Sequence, residues 1–581
     1  MSTYNEATVR TVGLGVVQGI IMTMAFTYAG LKLGFTLGGS EVAAILGFVV
    51  LRGLLKGGTI VENNINQTVA SGINTASSGV IFTVPALLLM GVDFDPWIFT
   101  IAAVAGSFMG IVVIIPLRKQ MIELDRLRFP SGTAVGAILK APGAGREKAV
   151  LLMTGFLTSM LAILAIKWGW LPSEIDPVAI VIRAVGGVPP VWLATAIAVS
   201  LMNFGAGLLS GRGGMPFFIG GAVAWWLIAP VAVGAGWVPD NPDTADILYG
   251  EMLRPLGIGV LIGGALMGVV LAFPAIKAAL GSLRRAAQAA DVGSETEELP
   301  AWVLYAGLAA SAVVLTAAAY LAGPEIGLTR SVIAGVVGTI WIAVAGLIVA
   351  QATGMTDISP LSGMALIAVT LMLAITGNNV VVAVAVGVAV CVATSQCADM
   401  MQDLKTGHLV GSRPLAQQKV QFLVAWIGPL VAMGTMYLLW ATPDGSPGFG
   451  PESVACAGGL PGCLPAPQAG ALQGMIDGVV GGAAPLDKYA AGAVMGMAVS
   501  LFPVGGMGVL FGLAMYLPFA ITFGYGLGCL TAMGIEKVRG PAFIESKVVP
   551  LAAGLIVGEA LTELGYSILT ILGVVGPGGG H

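Results

Sequence analysis

Polar residues are so sparse along this chain that the apolar runs between them define its elements. Runs of about 20 residues, enough to cross the hydrocarbon core of a bilayer, occur at 11–34, 38–56, 62–90, 96–117, 149–170, 190–209, 214–236 and 255–276. They recur at 300–322, 330–351, 359–376, 378–397, 418–441, 488–511, 514–534 and 548–573. The pattern predicts an all-α polytopic membrane protein of about 16 transmembrane helices, with broken or re-entrant segments. Two pieces fall short of a span. FPSGTAVGAILKAPG (129–143) reads as re-entrant or broken, and LQGMIDGVV, inside the Pro- and Gly-rich loop 442–487, reads as a hairpin or an interfacial helix.

The two sets of eight spans look duplicated. Arg254-PLGIGVLIGGAL-Met267 aligns without gaps on Val549-PLAAGLIVGEAL-Thr562, and Met215-PFFIGG aligns on Leu517-PFAITFG. Gln67, Ser78 and Gly79 fall opposite Gln351, Ser362 and Gly363 in the same order. The expected organisation is an N-terminal transmembrane repeat (1–276), a cytoplasmic linker (277–299), a C-terminal transmembrane repeat (300–573) and a tail (574–581). An even number of spans per half makes this a parallel repeat. Transporters with internal repeats place their substrate at the repeat interface, on discontinuous helices.

Composition agrees with the pattern. The 581 residues are 57% hydrophobic and 10% charged, against about 25% charged in a soluble domain, and mean hydropathy is +0.93. The net charge of −4 says nothing about nucleic acid, but no basic domain exists, and no nucleic-acid partner is expected. Basic residues follow the second, fourth and eighth spans (Arg52 and Lys56; Arg118, Lys119, Arg126 and Arg128; Lys277, Arg284 and Arg285), while GVDFDPW and VPDNPDTAD carry only acids. This places the N-terminus in the cytoplasm, although Lys537, Arg539 and Lys547 then fall outside. MSTYNEATVR runs directly into a span, so the first helix is expected to be its own insertion signal. Cys391, Cys397 and Cys529 read as core residues; Cys456 and Cys463 share a loop that is extracytoplasmic by parity and can form a disulfide there. Both histidines, His408 and His581, fall outside the spans.

Candidate chemistry concentrates where polar groups enter the apolar runs. Asn63, Gln67, Ala70, Asn74 and Ser77 recur at helical spacing and form one polar or small face. Lipid could not cover that face, so it looks onto other helices or a water-filled cavity. It suits a substrate path; interhelical hydrogen bonding is the plain alternative. Its repeat mate, TGMTDISPLSGMALIA (353–368), is interrupted at Thr356, Asp357, Ser359 and Pro360, as either an unwound helix lining a cavity or an interfacial loop would be. The substrate-binding candidates are therefore Asn63, Gln67, Ser71, Asn74, Ser78, Gln351, Thr356, Asp357, Ser359 and Ser362. Glu559, a lone carboxylate deep in the last span, is the first candidate for a coupling proton, with a structural hydrogen bond as the alternative. Glu563, one turn on, can share its proton. Glu41, Glu62, Asp399 and Asp403 stand behind Glu559 as coupling or gating candidates; Asp399 and Asp403 are spaced to share one helix face. Enzyme chemistry finds no support: no span holds a histidine to serve a nucleophile, no Asp/Lys cluster suits metal and phosphate, and there is no Walker A motif. No cofactor and no resident metal are expected. A passive pore lacks a repeated filter sequence.

ENNINQTVASGINTASSGVIFTVPAL (62–87), SPLSGMALIA (359–368), ADMMQDLKTGHLVG (398–411), GLAMYLPFAITFG (512–524) and GLIVGEAL (554–561) together resemble, in this order, the oligopeptide transporter family. That family includes the yellow stripe-like metal-chelate transporters; the MQDLKTG core is the most specific match, and the likeness is greatest to the bacterial branch. The resemblance implies two related halves and proton-coupled secondary active uptake of short peptides or peptide-like compounds. In some members it implies uptake of metal bound to a small amino-acid-derived chelator. It points to Glu62, Asn63, Gln67 and Ser71 in the first motif and to Asp399, Gln402, Asp403 and Lys405 in the third. The expected protein is a proton-coupled symporter importing short oligopeptides across a bacterial inner membrane, with metal-chelate uptake second and a passive pore third. Its partners are then a small peptide-like substrate, protons and the lipid bilayer, with a homo-oligomer left open.

Overall fold

The computed structural model describes residues 6–574 except 35–38, 49, 52–56, 141–143, 188, 191, 240, 242–243, 272, 275–276, 278–298, 300–301, 357–358, 443–444, 458–462, 481–484, 503–506 and 572–573. The expected linker and tail lie almost wholly outside the described residues. Among those described, 12 helical stretches are long and apolar enough to cross a membrane, and two shorter apolar helices, Leu361–Thr376 and Met507–Tyr516, accompany them. The strand pairing is one short antiparallel contact, Glu174–Ile175 with Ile197–Ala198. The chain is an all-α polytopic membrane protein.

Several expected boundaries move for local reasons. The run 190–209 is not a span. Pro189 and Pro190 open it without amide donors, no described residue before Leu201 in this run is helical, and one stretch then runs from Leu201 to Gly234, absorbing most of the expected span 214–236. Ser200 starts that stretch, its hydroxyl accepting the Asn203 N–H. Within 38–56 the described helix is only Ser40–Phe48. The second half breaks again at Leu517 and Pro518, between Met507–Tyr516 and Phe519–Arg539. Residues 129–143 contain an 11-residue helix, Pro130–Lys140. LQGMIDGVV belongs to the helix Pro467–Val480, which is buried over more than half of its length. Cys456 and Cys463 are disulfide-bonded. The largest change concerns Val380–Val410. It continues 13 residues past the expected end at 397, so Asp399, Asp403 and His408 all lie on a helix of membrane length.

The chain forms two compact units, each drawn from both sequence halves. The first comprises Met1–Gly30, Thr36–Ala149 and Val269–Tyr437; the second comprises Leu31–Phe35, Val150–Gly268 and Leu438–His581. In the first, Val380–Val410 is buried along almost its whole length, with Ala76–Leu89, Pro96–Ile114, Pro130–Lys140, Gly327–Thr356 and Leu361–Thr376 packed around it. Glycines permit the closest approaches. A Cβ on Gly106 would lie 2.3 Å from the Ala389 carbonyl oxygen, and one on Gly110 would lie 2.4 Å from that of Ala393. Lipid gives no hydrophobic drive between helices, so such close backbone contact carries much of their association. Gly106→Val should therefore lower stability by about 1–3 kcal/mol through overpacking. Gly13→Val, at a position with no neighbour within 4 Å of an added Cβ, should change the melting temperature of purified protein far less.

In the second unit, Phe519–Arg539 and Val549–Ile571 pack on Leu201–Ser210. Gly554 and Gly558, four apart, meet the backbone of Leu152 and Phe156 as closely as Gly106 meets Ala389.

Candidate functional site

The first unit holds a helix whose burial and polarity conflict. Ile60–Asn74, hereafter the amide helix, starts with a capping box: the Glu62 N–H donates to Thr59 Oγ1 (3.2 Å) and the Thr59 N–H to Glu62 Oε2 (2.8 Å). Glu62 thus stabilises a helix start. From Asn63 to Asn74 every residue is buried, including Asn63, Asn64, Asn66, Gln67, Thr68, Ser71 and Asn74. Some of these groups are satisfied. Asn63 Nδ2 donates to the Ala44 carbonyl (2.9 Å), Asn66 Nδ2 to Gln18 Oε1 (3.0 Å) and Gln67 Nε2 to Asn64 Oδ1 (3.2 Å). Others are not. The amide oxygens of Asn63, Asn66, Gln67 and Asn74 have no hydrogen-bond partner among the described residues. Each such buried atom costs about 1–3 kcal/mol in desolvation, so a row of them is poor structural glue and a good surface for a polar ligand.

Val380–Val410, the carboxylate helix, faces this row. Ser71 donates to Asp399 Oδ1, Ser40 lies 2.8 Å from Ser71, oxygen to oxygen, and 3.3 Å from Asp403 Oδ1. Asp403 is fully buried and Asp399 half-buried, and neither has an ion-pair partner among the described residues. Glu41, on the same helix as Ser40, is within electrostatic reach of Asp403. The Ser78 and Ser395 hydroxyls join the next helix, Ala76–Leu89, to the carboxylate helix. Pro414–Val424 closes the cluster: Gln417 Nε2 donates both to Thr68 Oγ1 (2.9 Å) and to the Asp403 carbonyl (2.8 Å). Gly407 makes that contact possible, since a Cβ there would fall 1.8 Å from Gln417 Oε1.

Of the sequence candidates, the fold thus gathers Gln67, Ser71, Asp399, Asp403 and Glu41, with Asn63, Asn74 and Ser78 on the adjoining buried surface. Gln351, Ser359 and Ser362 lie apart, on or between Gly327–Thr356 and Leu361–Thr376. Ser359 meets Thr353 Oγ1 at 2.6 Å, and Gln351 Oε1 is unpartnered. Thr356 closes the first of those helices, and Asp357 lies outside the described residues. Sequence reasoning missed Ser40, Thr68, Ser395, Gln417 and Gln421. The three glutamines of PLAQQKVQFLV, all fully buried, were the available signal.

Glu559 belongs to the second unit and is not the lone carboxylate expected. It accepts from Lys32 Nζ (2.9 Å), Ser200 Oγ (2.6 Å) and the Met202 N–H (2.9 Å). Lys32 and Glu559 are both almost completely buried. Glu563 pairs instead with Lys167 (3.0 Å), whose ammonium also lies 4.6 Å from the Tyr566 ring centroid.

These two clusters, one of amides and carboxylates and one of ion pairs, occur in a chain whose residues 6–570 match the family model described as OPT oligopeptide transporter protein. The chain belongs to the oligopeptide transporter family. It is accordingly a transporter and not an enzyme. A Haemophilus influenzae protein named as an oligopeptide transporter is 29% identical over 460 residues, covering 71% of this chain and 70% of the relative. A metal-nicotianamine transporter of Arabidopsis thaliana is 24% identical over 646 aligned positions, covering 98% and 92%. An iron-phytosiderophore transporter of Zea mays is 26% identical over 386 positions, covering 58% and 53%.

Proposed function

We propose that this oligopeptide transporter family member is a proton-coupled symporter that imports short peptides or peptide-like zwitterions across a bacterial inner membrane. The observation that carries this reading is the juxtaposition in the first unit of unpartnered buried amide oxygens with the Asp399 and Asp403 carboxylates. A peptide offers backbone N–H and C=O groups that complement Asn and Gln without regard to side chains, which suits a broad substrate range. A carboxylate pair held in a membrane by serine hydroxyls, with no ion-pair partner among the described residues, suits the binding and release of protons. The duplicated sequence halves fit a transporter built as a parallel repeat.

Metal-chelate uptake is a second reading, favoured by the metal-nicotianamine relative that aligns over nearly the whole chain. A chelate of amino-acid type presents the same carboxylates and amines to the same amides.

The test is uptake into proteoliposomes under an inward proton gradient, offering a labelled tri- to pentapeptide mixture and, separately, an iron–chelator complex. Saturable peptide accumulation that collapses with a protonophore is the expected result. Accumulation of the chelate alone would move the assignment to the second reading. Saturable flux indifferent to the gradient would remove proton coupling, and non-saturating conductance would mean a pore.

A further inference from the structure

We infer that Asp399, Ser71, Ser40 and Asp403 form one proton-relay chain that carries a single proton between the two carboxyl groups. The inference rests on the symport reading and names where its proton sits. Three oxygen–oxygen contacts link the four side chains: Asp399 to Ser71, Ser71 to Ser40 at 2.8 Å, and Ser40 to Asp403 at 3.3 Å. Each hydrogen bond needs one proton, and a serine hydroxyl carries one. Two serines supply two protons for three contacts. With both carboxyls ionised, one contact would set bare lone pairs against each other inside a buried cluster. One further proton, on either carboxyl, completes the chain.

Two arrangements then exist. In one, Asp403 donates to Ser40, Ser40 to Ser71, and Ser71 to ionised Asp399. In the other, every bond is reversed and Asp399 holds the proton. Conversion of the second into the first is balanced. Asp399 gives its proton to Ser71 Oγ, Ser71 gives its own to Ser40 Oγ, and Ser40 gives its own to Asp403. Both hydroxyls end neutral, and one proton has moved one helical turn, about 6 Å along the axis.

The burial of the ends differs. Asp399 is half-buried, while Ser71, Ser40 and Asp403 are 1%, 6% and 0% exposed. Asp403 is thus the more deeply buried end, the store, and Asp399, whose residue is partly exposed although its Oδ2 is covered, is the end nearer to exchange. Among the described residues Glu41, also an acid, is within electrostatic reach of the store. Lys405 and His408 follow on the same helix, and Lys419 lies on Pro414–Val424; none of them is ion-paired to either aspartate among the described residues. Gln417 fixes the geometry of the store by holding the Asp403 carbonyl.

The test compares gradient-driven accumulation with substrate counterflow, which needs no net proton movement, in proteoliposomes of wild type, Ser40→Ala, Ser40→Thr and Ser71→Ala. A relay in series predicts that each Ala variant lowers the ratio of accumulation to counterflow on the order of tenfold, and that Ser40→Thr, which keeps the hydroxyl, holds the wild-type ratio. Should Ser40→Ala not fold, Ser71→Ala decides. Wild-type ratios in both Ala variants, in a protein that accumulates substrate on a gradient, would overturn the relay and leave symport standing. Equal loss in Ser40→Thr and Ser40→Ala would trace the effect to packing and likewise overturn it. No gradient dependence in the wild type would remove the symport reading itself.

Discussion

Asp403→Asn is expected to lower gradient-driven uptake on the order of 100-fold, the scale of losing a positioned acid–base group. Asn matches Asp in size and can still donate to Ser40, so packing at this fully buried position is kept while the proton-holding capacity is lost. Counterflow should fall much less than accumulation. The pH response carries the sign. In the wild type, raising the pH on the side that supplies protons removes the one proton of the Asp399–Asp403 pair, so uptake should decline from acid toward alkaline pH. In Asp403→Asn the residual flux should be flat across that range. Asp399→Asn should also lose coupling. Initial rates against external pH for the three proteins check all of this. Full pH-dependent accumulation by Asp403→Asn would remove the buried aspartate from the mechanism.

The sequence made the class legible because the solvent imposes it. A backbone in lipid must satisfy its own hydrogen bonds, so long apolar runs can be read as helices without knowing their neighbours. Where prolines interrupt a run, length misled. The stretch 190–209 has the composition of a span, yet Pro189, Pro190 and the Ser200 cap leave only its C-terminal part, from Leu201 on, helical. The polar face of Ile60–Asn74 was equally legible, since amides at helical spacing in an apolar segment need partners. The identity of those partners was not. Ser40 and Gln417 reach Asp403 from segments 363 and 14 residues away, and an isolated serine or glutamine carries no mark of such a role. The same holds for Lys32, at the end of the first helix, which the fold sets 2.9 Å from Glu559, 527 residues on.

That pairing leads to the second large effect. Lys32→Met should destabilise the protein by about 3–5 kcal/mol, the cost of leaving a buried charge without its counter-ion. Ser200 and the Met202 N–H would still donate to Glu559, but neutral donors cannot replace an ammonium at 2.9 Å. Glu559→Gln should also destabilise the protein, because Lys32 then loses the carboxylate at 2.9 Å. The double variant Lys32→Met/Glu559→Gln should recover much of the loss. Its one amide oxygen can accept from the Met202 N–H while its NH2 donates to Ser200 Oγ, and the variant carries neither charge of the Lys32–Glu559 pair. Thermal unfolding of the four proteins closes a double-mutant cycle whose coupling term isolates the ion pair. Uptake by the same proteins then separates a structural lock from a proton carrier. A lock predicts that the double variant regains gradient-driven accumulation together with its stability. If instead Glu559→Gln melts like wild type, and both it and the stabilised double variant accumulate nothing on a gradient, Glu559 is the coupling carboxylate and the Asp399–Asp403 pair loses that role.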